Sequence, residues 1–150
     1  MDKRDVVEEL VRFWSVQDVE SSVALMRDDC VWVLNISETA LPFGGETCGK
    51  DKIAEGFYAI LADWDYISYV PTILAIKDGK ARLQVQHVYR FRRTGEDLAG
   101  SFRINIEVVD GLVSRIEEYH DAAMVETFMR LAQSGRSNGG QQQWLPPRPR

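Results

Sequence analysis

Apolar residues recur every three or four positions over 5–16, where Val6, Leu10 and Phe13 interleave with Val7, Val11 and Trp14. That spacing lays one apolar stripe along a helix, so the first predicted element is an amphipathic helix. Asp18 follows as a candidate N-cap, because its carboxylate is placed to accept backbone N–H groups that a first helical turn leaves free. The second helix predicted there buries Val19, Val23 and Met26 and ends near Asp28 and Asp29. The pattern then changes. Residues 30–36 (CVWVLNI) are rich in Val and Ile and predict a strand. Residues 37–49 read as a loop, broken by Pro42, Gly44 and Gly45, with Leu41 and Phe43 giving it apolar content. A third predicted helix, 50–61, presents Ile53, Phe57 and Ile60 or Leu61.

Beyond residue 66 the period is two. Residues 66–77 form a long β-prone run. Pro71 inside it requires an edge position or a bulge, because proline has no N–H for the ladder. Asp78-Gly79 is a hairpin signal, since both positions of such a turn need positive φ. Over 80–93, Leu83, Val85, His87, Tyr89 and Phe91 share one face, while Arg82, Gln84, Gln86 and Arg90 share the other. After a turn at 94–97, Phe102, Ile104, Ile106 and Val108 lie opposite Arg103, Asn105 and Glu107. Asp110-Gly111 closes a second hairpin into a last strand, 112–120, followed by Asp121 as cap of a short helix over 123–131. Helices gathered early and a strand meander gathered late predict an α+β fold. The expected shape is a cone-shaped α+β barrel, with a curved, mostly antiparallel sheet wrapped around the long N-terminal helix. The mouth of such a cone is a natural pocket.

Composition narrows the function classes. The chain has 150 residues, 45% of them hydrophobic and 27% charged, which suits one globular domain. The expected boundary puts a domain at 1–133 and a Gly/Ser/Gln/Pro-rich tail at 134–150, ending WLPPRPR. That tail reads as a flexible linker with a polyproline stretch, or as a segment whose Trp144 and Leu145 pack onto a neighbouring subunit. The net charge is -5 and the basic residues are spread out, so nucleic acid is not an expected partner. No run suits a membrane span and no apolar signal core follows Met1. Cys30 and Cys48 have no metal or redox spacing. The expectation is a cytoplasmic protein with no metal, nucleotide or other cofactor.

Three stretches, SVALMRDDCVWV, CGKDKIAEGFYAIL and DGLVSRIEEYHDAA, resemble the SnoaL-like polyketide cyclases and ketosteroid-isomerase-like proteins of the nuclear-transport-factor-2-like superfamily. The resemblance runs over about 5–131. It implies the cone fold, a homodimer formed through the convex sheet face, and a small-molecule site in the cone. In the isomerases a tyrosine and a protonated aspartate hold an oxyanion while another aspartate moves the proton. Those three positions fall on Leu10, Ile104 and Leu34, so steroid-type isomerisation by that route is not expected. The Asp-Arg-Asp set of the related epoxide hydrolases falls on His87, Val85 and Glu118.

The candidate catalytic residues are therefore His87 and Glu118. A histidine on an apolar pocket face is suited to taking or giving a proton near neutral pH. Glu118 is its candidate orienter or partner base. An ideal two-residue turn at Asp110-Gly111 would turn Tyr119 to the pocket and Glu118 toward Arg103. Glu118 inside requires a bulge. Both registers stay open at the level of sequence. The candidate substrate-binding residues are Leu10, Trp14, Trp32, Leu34, Asn35, Phe57, Tyr89, Phe102, Ile104 and His120. The function expected is binding of a small hydrophobic or aromatic molecule, with cofactor-free proton transfer (isomerase, cyclase, dehydratase or hydrolase type). A non-catalytic binding or dimerisation module is the alternative.

Overall fold

Both N-terminal helices start where an aspartate accepts a backbone N–H. Asp2 accepts from Asp5 at 2.8 Å and opens α1, Lys3–Ser15, which buries Val6, Val7 and Leu10. Asp18 accepts from Ser21 at 3.1 Å and opens α2, Val19–Ala24. α2 is shorter than its spacing predicts. It ends at Ala24, and Met26, Asp28 and Asp29 belong instead to strand β1, Met26–Leu34. In α2 Val19 and Ser22 are buried, while Val23 is only partly covered. A computed structural model describes residues 1–137 of the chain, so the rest of the predicted tail, with Trp144 and Leu145, lies outside the described residues.

The stretch expected to be a loop contains a short strand, β2, Gly45–Cys48, paired antiparallel with β1. Four residues of mixed polarity carry too little alternation to signal a strand. Helix α3 is Lys50–Asp63. The meander follows as β3, Trp64–Lys77, β4, Lys80–Phe91, β5, Asp97–Val109, and β6, Leu112–Tyr119. Asp121 accepts from the Met124 N–H at 3.1 Å and caps α4, Ala122–Ser137, which runs past the predicted end. Asp78-Gly79 and Asp110-Gly111 both take positive φ at both positions, as a two-residue hairpin turn demands.

The strand order is β2-β1-β6-β5-β4-β3. β1 and β6 pair in parallel, and the other neighbours are antiparallel. Pro71 lies on the edge strand β3, as its missing N–H requires. The sheet is curved and unclosed. α1 packs against β3, β5 and β6, and α3 against β1, β2 and β3, so both helices fill the concave side. The fold is the expected cone, an α+β arrangement.

Three bulges set which side chains enter it. In β3, Tyr66 pairs with Tyr89 and Ser68 with Val88, leaving Ile67 as the extra residue. Further along, Ile73 pairs with Leu83 and Ala75 with Arg82, leaving Leu74 extra. In β6, Val113 pairs with Val108 and Arg115 with Glu107, leaving Ser114 extra. Val109 still pairs with Leu112, so the turn is ideal and the offset arises after it. The extra residue reverses the facing of everything that follows in the strand. Glu118 therefore lies opposite Ile104 on the inner face, and Tyr119 opposite Arg103 on the outer face, 48% exposed.

Candidate active site

The cone holds two adjoining cavities, each of about 60 Å³. The first lies under α1 and is walled by Leu10, Trp14, Trp32, Phe57, Phe102 and Ile104, with Tyr66 and Tyr69 from β3. The second opens beneath the 37–44 loop and α4, among Leu34, Leu41, Phe43, His87, His120 and Val125. Ile60, Tyr66, Tyr89 and Glu118 line both, so the carboxylate sits where the two lobes meet.

Glu118 is held at both oxygens. Its Oε2 accepts from the indole N–H of Trp32 at 2.8 Å, and its Oε1 lies 2.9 Å from His120 Nε2. A carboxylate only accepts, so His120 presents Nε2–H to it. The His120 ring stacks on Phe102 at a centroid distance of 4.0 Å. Its side chain is 11% exposed and that of Glu118 17%. His120 is thus a pocket residue rather than a surface histidine.

His87 is buried on the same face, stacked on Tyr89 at 4.0 Å and edge-on to Phe102. Its Nδ1 has no hydrogen-bond partner among the described residues. Burial first, and the neighbouring His120 second, lower its pKa to about 4 against the pull of Glu118, so the ring is neutral at pH 7. The expected His87–Glu118 pairing is not the one formed: the carboxylate is bonded to Trp32 and His120. Burial, reinforced by the Glu118 charge, pushes the hydroxyls of Tyr66, Tyr69 and Tyr89 well above the ordinary phenol range. All three are neutral donors near pH 7.

Leu10, Trp14, Trp32, Leu34, Phe57, Tyr89, Phe102, Ile104 and His120 all line one lobe or the other. Asn35 does not. It is exposed, and its amide is taken by the His120 backbone, donating to the carbonyl at 2.9 Å and accepting from the N–H at 2.8 Å. It ties the end of β1 to the end of β6. Tyr66 and Tyr69 escaped the sequence reading. Three apart, they fall on opposite faces of a regular strand, and only the Ile67 bulge brings both inward. Among the described residues no group of three or more His, Cys, Asp and Glu is placed to hold a metal. No helix among them is long and apolar enough to cross a membrane.

Trp32 reaches Glu118 because α3 offers it a glycine. A Cβ at Gly56 would stand 2.8 Å from Trp32 Cζ3. Alanine gains up to about 1 kcal/mol in helix propensity, but overpacking a full core costs about 1–3 kcal/mol. Gly56→Ala is expected to lower stability by about 1 kcal/mol in urea unfolding and to shift tryptophan fluorescence. A raised midpoint with an unchanged spectrum would refute this account of the glycine.

No sequence-family model matches the chain, and no curated protein matches it. Solved structures do. A nuclear-transport-factor-2-like protein of unknown function from Burkholderia pseudomallei aligns with a TM-score of 0.75 at 15% identity, over 88% of this chain and 98% of that one. A candidate SnoaL-like polyketide cyclase from Mesorhizobium loti aligns at 0.68 and 11% identity, over 80% of this chain and all (100%) of that one. TerC, co-crystallised with polyporic acid, aligns at 0.72 and 16% identity, over 87% of this chain and 98% of that one. The chain has the nuclear-transport-factor-2-like fold, in the form shared with SnoaL-like proteins. The likeness inferred from its sequence holds at the level of that fold.

Proposed function

We propose that the cone binds a small hydrophobic or aromatic molecule and moves a proton on it without a cofactor. The observation that carries this reading is a carboxylate, Glu118, set at the junction of two apolar lobes and oriented at both oxygens by Trp32 and His120. Each oxygen keeps lone-pair capacity for a substrate hydrogen. Glu118 acts as the base, takes the proton from the ligand and returns it to another carbon of the ligand or to water, while the His120 N–H steadies the carboxylate. Neutral His87 and the Tyr66 and Tyr69 hydroxyls hydrogen-bond the polar end of the ligand, where developing negative charge is best stabilised by fixed donors. The co-crystallisation of TerC with polyporic acid supports a small molecule as the ligand.

The test needs no natural substrate. A panel of single-ring ketones is incubated with the protein in D2O, and exchange of the hydrogens next to the carbonyl is followed by NMR. The native chain is expected to speed exchange for at least one member, and Glu118→Gln to reduce that rate by about 10²-fold or more. The glutamine oxygen still accepts from Trp32, so the fold is expected to persist. An exchange rate indifferent to Glu118→Gln would defeat the assignment.

A second reading, a ligand-binding module without turnover, is favoured by Leu10, Leu34 and Ile104. All three form cavity wall where the isomerase resemblance calls for polar groups. Binding of ring ligands with no exchange across the panel would select it. We further propose a cytoplasmic homodimer through the convex sheet face. Exposed Val70 and Tyr119 on that face, and the free cysteines Cys30 and Cys48, support it. Sedimentation equilibrium of the full chain checks the dimer.

A further inference from the structure

We propose that the ligand of this cavity is a compact hydrophobic amine, its ammonium seated beside Glu118 and against the ring faces of the first lobe. The inference rests on the binding reading above and adds the charge and size of the ligand. It begins with what the walls lack. Among the described residues neither lobe is lined by a lysine or an arginine, and Glu118 is the one carboxylate in either wall. An anionic ligand would meet that carboxylate with no cation nearby to offset it. Burying like charges together in an apolar site is strongly unfavourable.

The walls also supply what a cation seeks. Trp14, Trp32, Phe57, Tyr66, Tyr69 and Tyr89 ring the first lobe. They lean on one another, with Tyr66 and Tyr89 centroids 4.4 Å apart and Trp14 and Phe57 4.5 Å apart. Aromatic faces carry negative potential, and an ammonium within about 6 Å of them is attracted, most where water is excluded. The negative field of Glu118 extends over the lobe, since it raises the pKa of all three tyrosines, and no lysine or arginine counters it at any of them. The Oε1 contact needs only one N–H, so it makes no demand for a second charge at His120. Size completes the description. Two lobes of about 60 Å³ each are a small enclosure. An apolar cavity of about 150 Å³ takes one benzene. The two lobes together are somewhat smaller than that, so the ligand is compact, at most one ring whose short amine arm reaches the mouth of the cone.

Three matched probes, benzylamine, benzyl alcohol and benzoate, are titrated into the full-length protein at pH 7.5 and low salt, with binding read by calorimetry. Benzylamine is expected to bind about tenfold more tightly than benzyl alcohol, and benzoate most weakly. Glu118→Gln is expected to erase the advantage of the amine. If the alcohol or benzoate matches the amine, or if the amine preference survives Glu118→Gln, the charge assignment is overturned and the aromatic cavity remains. If none of the three binds at millimolar concentration, the cavity-binding reading falls with it.

Discussion

Deletion of Ser114 is expected to leave every other residue of β6 on its present face and to cost the protein only about 1–2 kcal/mol of stability. Val113 and Ile116 are both buried, at 0% and 5% exposure, yet they stand three apart in one strand. They share a face only because Ser114 is left out of the pairing between β5 and β6. Without it, the pairs Val108–Val113 and Glu107–Arg115 become consecutive, so Val113, Ile116 and Glu118 stay inward and Arg115 and Glu117 outward. The cost that remains is the local bend and added twist that the bulge gives the strand. Ser114→Ala is the control. It removes only the hydroxyl bond to the Glu107 carbonyl at 3.2 Å and is expected to cost about 1 kcal/mol or less. Urea unfolding of the two variants measures the difference. A deletion variant that unfolds several kcal/mol below Ser114→Ala would mean that Ser114 does more than occupy the bulge.

His87 is expected to make the fold acid-labile in a defined window. Its folded pKa of about 4 lies below the unfolded value near 6.5. The unfolded chain therefore takes up a proton first as the pH falls, and stability drops with it. The contribution is complete above pH 6.5, declines between pH 6.5 and about 4, and does not change further below that. Between pH 7 and 4.5 this one ring accounts for a loss of about 2 kcal/mol. His87→Phe keeps an aromatic between Tyr89 and Phe102 and cannot be protonated. Its urea midpoint is expected to fall by correspondingly less over the same interval. Equal losses in both proteins would mean that His87 carries a proton, or a partner, in the folded state.

The elements with long, clean periods were legible in the sequence. α1, the alternation of β4 and β5, both aspartate-glycine turns and the cap at Asp121 follow from residue spacing alone. Pro71 correctly marked an edge. The site was legible where the alternation is unbroken, which is why His87, Tyr89, Phe102 and Ile104 were placed in the cavity. It failed where a strand carries an extra residue. Tyr66 and Tyr69 could not be put on one face by counting in twos, and Glu118 could be placed only by resemblance. Apolar or aromatic residues three apart within a strand, Tyr66 with Tyr69 and Val113 with Ile116, are the trace such an insertion leaves in the sequence. The Glu118–His120 contact was hidden for a different reason. The two residues are two apart, but His120 lies beyond the end of β6, where the period no longer fixes direction. Met26 was misassigned because a buried residue at helical spacing from Val19 and Val23 looks the same whether the helix continues or a strand begins.

The outer border of the sheet at β3 has one more consequence. Within eight residues it carries an imino acid at position 71 and displaced residues at 67 and 74. A neighbouring chain trying to add itself there would find the donor row interrupted and the backbone kinked on either side. Ile67, Val70 and Leu74, half exposed along this border, would otherwise invite fibrous growth. The same irregularities that aim two tyrosines inward thus also guard the molecule against polymerising through its rim.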